Sequence, residues 1–191
     1  MGLPLQIFND NLDYLFFSNF LSTSKPFVDA GSGDGRIALF AGIKYSWNSL
    51  GIEFDDEFHQ IANRNYEKIW DNYSFERFRI RLIRGDFTHD LPYGQAGMRF
   101  SDVGTFMNFN NNPHSLVERI QQDSPSGTKF LFYGFNDTYS FEKLKKIVTL
   151  KNISVRDEFD KLISTKQEVL FGSNKGLFDE NVIYTHLFEK E

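Results

Sequence analysis

Phe27-Val-Asp-Ala-Gly-Ser-Gly-Asp-Gly-Arg-Ile37, followed one short helix later by Ser49-Leu-Gly-Ile-Glu-Phe-Asp55, decides the fold of this chain. The apolar run from Lys25 to Asp29 follows a turn-prone Ser-Thr-Ser and ends in glycines, as a strand buried in a parallel sheet does. Arg36–Tyr45 carries Ile37, Leu39, Phe40 and Ile43 and reads as a helix. Ser49–Phe54 reads as a second strand, and the Asp55-Asp-Glu57 that follows opens another helix with negative charge at the positive end of its dipole. Gly31, Gly33 and Gly35 sit directly between strand and helix, where backbone without side chains lets a ligand approach and turns amide groups toward it. A tight turn with no ligand is the alternative. Glu53 ends the second strand about 20 residues after the glycines, where an acid accepts hydrogen bonds from ribose hydroxyls in nucleoside-binding α/β folds. A solvated strand-end carboxylate is the competing reading.

Outward from this unit the alternation continues. Leu12–Leu21 has helical spacing and forms, within residues 1–25, a segment packed before the first strand. Arg77–Ile83 alternates arginines with Phe78, Ile80 and Leu82, the pattern of an edge strand with one wet face, and Arg84-Gly-Asp-Phe87 closes it. Val103–Met107 and Lys129–Tyr133 are further strand candidates, separated by a helical stretch from Pro113 to Gln122. In the tail, Gln167–Phe171 and Val182–Phe188 flank a Gly172–Gly176 turn region and suggest an antiparallel edge hairpin. The expected architecture is α/β: a Rossmann-like, mostly parallel sheet with helices on both faces and an antiparallel C-terminal hairpin, in a single domain over residues 1–191.

Composition narrows the function. Four scattered His and no Cys leave no ligand spacing for a metal and no disulfide. A net charge of −5 is the opposite of the footprint of a non-specific nucleic-acid binder, which makes nucleic acid an unfavoured partner. Without a membrane-length apolar run or a secretory leader pattern, the expectation is a cytoplasmic protein. The 22 Phe forecast an aromatic core.

A dinucleotide fingerprint would be G-x-G-x-x-G; here the loop is G-x-G-x-G, with Arg36 where the last glycine would fall. Asp29-Ala-Gly-Ser-Gly-Asp-Gly-Arg36 instead resembles motif I of class I, seven-strand S-adenosylmethionine-dependent methyltransferases, and Gly51-Ile-Glu-Phe-Asp55 resembles the motif that follows it. The resemblance implies S-adenosylmethionine as cofactor and a sheet of order 3-2-1-4-5-7-6 with strand 7 antiparallel. It implies Gly31, Gly33 and Gly35 around the methionine moiety, Asp29 placing its amino group, and Glu53 on the ribose. Gly85-Asp86-Phe87 resembles the third motif, with Asp86 on the adenine amino group and Phe87 over its face; a turn cap is the alternative for Asp86.

Within that family the sequence is most similar to the small protein-lysine branch, which includes a histone-core lysine enzyme. This implies a protein amine as acceptor and gives Asn108, at the end of the fourth strand, a catalytic place near the methyl donor. Two departures stand. Asn112-Pro113-His114 lacks the second proline and aromatic of adenine- and glutamine-directed enzymes, and Leu3-Pro4-Leu5 is all that corresponds to the branch's Pro-Thr-Pro segment. Acceptors in RNA or among small molecules, and a non-catalytic methyltransferase-like binding module, are the alternative functions. A lysine acceptor must lose its proton before it attacks, which an apolar, aromatic channel would favour.

Overall fold

The computed structural model describes residues 3–70, 79–156, 162–170 and 182–191. In chain order the elements are α1 (Leu5–Phe17), β1 (Phe27–Ala30), α2 (Arg36–Tyr45), β2 (Ser49–Glu53), α3 (Asp56–Trp70), β3 (Ile80–Arg84), α4 (Asp90–Gln95), β4 (Thr105–Phe109), α5 (Pro113–Asp123), β5 (Lys129–Gly134), β6 (Leu144–Arg156), β7 (Leu162–Leu170) and β8 (Val182–Lys190). They form one eight-stranded sheet in the order β3-β2-β1-β4-β5-β8-β6-β7. The first five strands are mutually parallel; β8 is antiparallel to both β5 and β6, and β6 is antiparallel to β7. This is the expected Rossmann-like arrangement with one strand more than seven.

The expected order 3-2-1-4-5-7-6 with an antiparallel strand 7 is met, β8 standing as strand 7 and β6 as strand 6; the extra strand β7 and the residues of the hairpin differ from the sequence reading. The antiparallel hairpin is made by β6 and β7, whereas β8 inserts between β5 and β6 instead of pairing with the segment before it. Burial explains the order. Val182–Phe188 is buried residue by residue, so both of its faces need cover and only an interior position supplies it. β7, bearing Gln167 and Glu168, tolerates the edge. β6 escaped the sequence reading because its ladder shifts between Lys146 and Val148, which breaks the two-residue alternation at its start. The Gly172–Gly176 turn region lies outside the described residues, as do Arg77 and Phe78. Expected and observed helices agree for α2 and nearly so for α5. α1 begins seven residues before Leu12 and ends at Phe17, since Pro4 supplies its extended N-cap and Asn19, at φ 59°, turns the chain away.

Two apolar layers sandwich the sheet. On one face Ile7, Phe8, Leu12 and Leu15 of α1 and Ile37 and Ala41 of α2 bury against Phe27, Met107, Leu131, Tyr133 and Leu187. On the other, Leu116, Val117 and Ile120 of α5 cover Val28, Leu50, Phe106 and Phe130. Beyond β5 no helix among the described residues covers this second face. Instead the extended segment after β5 lays Tyr139 and Phe141 on Phe130, Phe132 and Phe188, with ring centroids 4.5 to 5.6 Å apart. Among the described residues the phenylalanines are therefore mostly core.

His186 of β8 is fully buried and fastens that segment: Nε2 lies 2.9 Å from the Asn136 carbonyl and Nδ1 2.9 Å from Thr149 Oγ1. The carbonyl can only accept, so Nε2 carries the proton and Nδ1 accepts from the threonine hydroxyl. Burial pushes His186 down to about 4. Between that value and the ordinary 6.5, the unfolded chain binds a proton that the folded chain refuses, so stability falls as pH drops through this window. Urea titrations at steps from pH 7 to 4 should show this loss, and His186→Gln should flatten it.

Candidate functional site

At the carboxyl ends of β1, β2 and β4 lies a cleft of about 380 Å³, bounded by the glycine loop, the start of α3 and the loop after β4. Ligands of open α/β sheets bind at this end of the strands, at the point where strand order reverses. β1 is that point, since β2 follows on one side and β4 on the other.

The glycine loop leaves the sheet where the amides of Gly31 and Ser32 both donate to Ile52 O, at 2.9 and 3.0 Å. All three glycines have positive φ, and Gly35, at φ 77°, is the N-cap of α2. Asn65 of α3 holds the loop from outside, donating to Asp34 O at 3.0 Å. Around Gly33 the loop is open, with no atom within 4 Å of where a Cβ would stand. Gly31 is closed instead, because a Cβ there would strike the Asn111 carboxamide.

Carboxylates gather at one end of the cleft. Glu53 accepts from the Gly33 amide at 2.7 Å through one oxygen and from the Asp55 amide at 2.9 Å through the other, tying the loop to the helix start. Asp29 is 2% exposed, and its Oδ2 has no hydrogen-bond partner. Burial, reinforced by Glu53 and Asp34, pushes this carboxyl up to about 8, against the Ala38 amide that favours its ionised form. Burial acts the same way on Asp34, but hydrogen bonds from Arg36 outweigh it and hold Asp34 below the usual carboxylate range. Leu3, Ile37, Met107 and Phe109 add apolar lining to the same cleft, Met107 beside Asp29 in the sheet. An orphaned buried carboxyl, an open glycine cradle and a ring of acids suit a ligand that brings positive charge and hydroxyl donors.

The cleft thus brings together Asp29, Gly31, Gly33 and Glu53 from the sequence reading, with Gly35 just behind them under Ala62 and Leu82. Three expected residues stand elsewhere. Asp86 follows β3, and its Oδ1 accepts from both the Thr88 amide and the Thr88 hydroxyl, at 2.8 and 2.6 Å; burial resists its ionisation, yet those bonds hold it below the ordinary range. Phe87 is a core residue whose carbonyl accepts from the Tyr93 hydroxyl. Asn108 is fully buried: Nδ2 donates to Ala30 O at 2.9 Å and Asn111 O at 2.7 Å, and Oδ1 accepts from the Asn111 amide at 2.9 Å. It welds the β4 loop to the end of β1 and presents nothing to the cleft. Sequence reasoning missed Phe54 and Phe58, 74% and 52% exposed at the β2–α3 junction, the second of which lines the cleft. Large exposed aromatics at a strand end were the available signal.

Removing the weld should be costly. Asn108→Ala leaves the Ala30 carbonyl and both backbone groups of Asn111 without their partner inside the protein. A loss of about 2–4 kcal/mol in denaturant unfolding is expected.

A family model described as "Histone methylation protein DOT1" matches residues 10–155. The chain belongs to the DOT1 family. The match runs from α1 into β6 and takes in the whole glycine loop, Glu53 and the β4 loop. Among solved structures, an RNA methyltransferase from Salinibacter ruber in complex with S-adenosyl-L-homocysteine is similar at TM-score 0.58 and 14% identity, over 100% of this chain and 95% of that one. A putative methyltransferase from Thermoplasma acidophilum follows at 0.56 and 14%, over 87% and 68%. Precorrin-6y C5,15-methyltransferase from Geobacter metallireducens GS-15 is similar at 0.55 and 9%, over 93% and 86%. At these identities the likeness is one of fold. No curated protein matches the sequence. By family and fold, this DOT1-family chain is a class I S-adenosylmethionine-dependent methyltransferase. No helix among the described residues is long and apolar enough to cross a membrane.

Proposed function

We propose that this DOT1-family chain transfers a methyl group from S-adenosylmethionine to a protein amine, a lysine side chain. The observation that carries this reading is the polarity of the cleft, acidic at the glycine loop and apolar along Leu3, Ile37, Met107 and Phe109. Bound S-adenosylmethionine supplies an electrophilic methyl on a sulfonium, so the protein's task is to orient and desolvate rather than to donate a proton.

Each residue then has a physical role. The free oxygen of Asp29 receives the cofactor's ammonium group in a charge-assisted hydrogen bond. The open backbone at Gly33 leaves room for the methionine chain. Glu53 has lone pairs beyond the two it spends on amides, and these accept the ribose hydroxyls. Phe54 and Phe58 offer the exposed aromatic surface that the adenine needs, a task that buried Phe87 does not meet in this arrangement. An amine entering along the apolar lining of Met107 and Phe109 loses water, which favours its neutral, nucleophilic form. α1 belongs to the same apolar cluster as β4 and β5, which supports one domain carrying the whole site.

Tritiated S-adenosylmethionine incubated with purified core histones and with cell lysate, resolved into protein, RNA and small-molecule fractions, tests the acceptor. Label in protein, recovered as methyl-lysine, is the expected result. Label confined to RNA or small molecules overturns the acceptor, and label in no fraction favours a binding module.

A further inference from the structure

The glycine loop is fastened to α3 at three points. The first stands just before the helix, where Glu53 accepts from the Gly33 amide at 2.7 Å and the Asp55 amide at 2.9 Å. The second is Ala62, 1% exposed, which packs so closely beneath Gly35 that an added Cβ there would stand 3.0 Å from the Ala62 methyl. The third is Asn65, whose Nδ2 donates to Asp34 O at 3.0 Å. A carbonyl only accepts, so the amide nitrogen of Asn65 has to be the donor. Phe58, Ala62 and Asn65 are spaced i, i+4 and i+7, so a single face of α3 runs from the cleft-lining aromatic to the clamp on the loop.

The clamped peptide lies between two glycines at positive φ, Gly33 at 54° and Gly35 at 77°. Glycine backbone reaches many conformations at similar cost, so such a stretch keeps one shape only where hydrogen bonds hold it. The Asp34–Gly35 peptide is held at both polar groups. Its N–H donates to Ser32 O at 2.9 Å, a bond inside the loop that moves with it, and its carbonyl accepts from Asn65, the bond that ties it to α3. We infer that Asn65 is a positioning residue for the methyl donor: it sets the glycine loop in its binding shape before the cofactor arrives. The inference rests on the reading above that lays the methionine moiety along this loop. Asn65 does not line the cleft, so it acts through the loop and not by touching the cofactor. A loop that had to be ordered during binding would subtract that ordering from the affinity. Because the same helix carries Phe58, α3 also sets the spacing between the adenine rim and the methionine cradle.

Two probes separate the ends of the cofactor. S-adenosylhomocysteine carries both, and 5′-methylthioadenosine carries the adenosine and sulfur without the amino-acid group. Asn65→Ala should bind the first about 3- to 10-fold more weakly than the wild type, the worth of one hydrogen bond, and the second with unchanged Kd. Asn65→Asp keeps the size of the side chain but has no proton to donate at neutral pH, and should show the same split. Alanine is the better helix former, which offsets the lost bond, so the unfolding midpoint of Asn65→Ala should stay close to that of the wild type. In the cofactor-free protein the loop amides should exchange with deuterium faster in both variants. Unchanged S-adenosylhomocysteine binding in Asn65→Ala overturns the inference, as do unchanged exchange and an equal loss for both probes, the mark of a general structural role. A wild type that binds the two probes equally takes the methionine moiety off the loop, and the reading above fails with it. A wild type that prefers S-adenosylhomocysteine, with that preference intact in both variants, sinks Asn65 alone.

Discussion

Gly33→Arg is expected to abolish S-adenosylmethionine binding while leaving a folded protein. Gly33 has φ 54°, a conformation that costs an L side chain roughly 1–2 kcal/mol, so some destabilisation is unavoidable. Nothing else opposes the substitution, since the space where a Cβ would stand is open for 4 Å. That space is the cleft itself. An arginine there fills it and sets a guanidinium beside Asp29, Asp34 and Glu53, where it competes with the cationic cofactor for the same carboxylates. Loss of volume and of charge complementarity together should raise the calorimetric Kd by at least about 100-fold, or ~2.7 kcal/mol. Gly33→Ala provides the control: it bears the same backbone strain with one methyl group, and should lose stability without losing most of the affinity. If Gly33→Arg bound S-adenosylmethionine normally, the cleft would not be the cofactor site.

Asp29→Asn should stabilise the cofactor-free protein and weaken cofactor binding. The Asp29 carboxyl titrates at about 8 in the folded chain, against 3.8 for an unstrained aspartate. Between those values the folded state holds a proton that the unfolded state has released, so stability falls as pH rises, with a limiting slope of about 1.4 kcal/mol per unit. The loss is complete above the folded value. Asparagine does not titrate and should remove this slope, so the variant's unfolding midpoint should exceed that of the wild type most at pH 8 and least at pH 4. Binding behaves in the opposite sense. An ammonium group against Oδ2 favours the ionised carboxyl, so cofactor uptake near pH 7 should expel a proton from Asp29. Calorimetry in two buffers of different ionisation enthalpy would count it: close to one proton released by the wild type and none by Asp29→Asn, with affinity reduced about 10- to 100-fold by the missing charge-assisted bond. Equal proton counts in the two proteins would remove Asp29 from the ammonium site.

Local sequence by itself determined the crossover unit. Glycines at 31, 33 and 35 have to stand where φ is positive, a short run before them, apolar but for Asp29, is buried on both faces, and an acid at the end of the next strand comes to the same edge in parallel register. Those requirements act within about 30 residues and were enough for the fold class and four of the residues that line the cleft, while the cofactor came from the resemblance of Asp29–Arg36 to the methyltransferase motif. What only the tertiary structure decided depends on neighbours distant in sequence. The hairpin forms between β6 and the additional strand β7, because β8 needs cover on both faces and the edge is left to β7, and no turn sequence encodes that. Asn108 and Asn111 have the same side chain three residues apart. The ladder between β1 and β4 buries the first beneath Ala30, where its hydrogen bonds must be met inside the protein, and the left-handed turns at Asn110 and Asn112 deliver the second to the cleft. Phe87 and Phe58 divide in the same way: one was drawn into the core under α5, and the other was left at the rim, because burial is a property of what packs above a residue rather than of the residue itself.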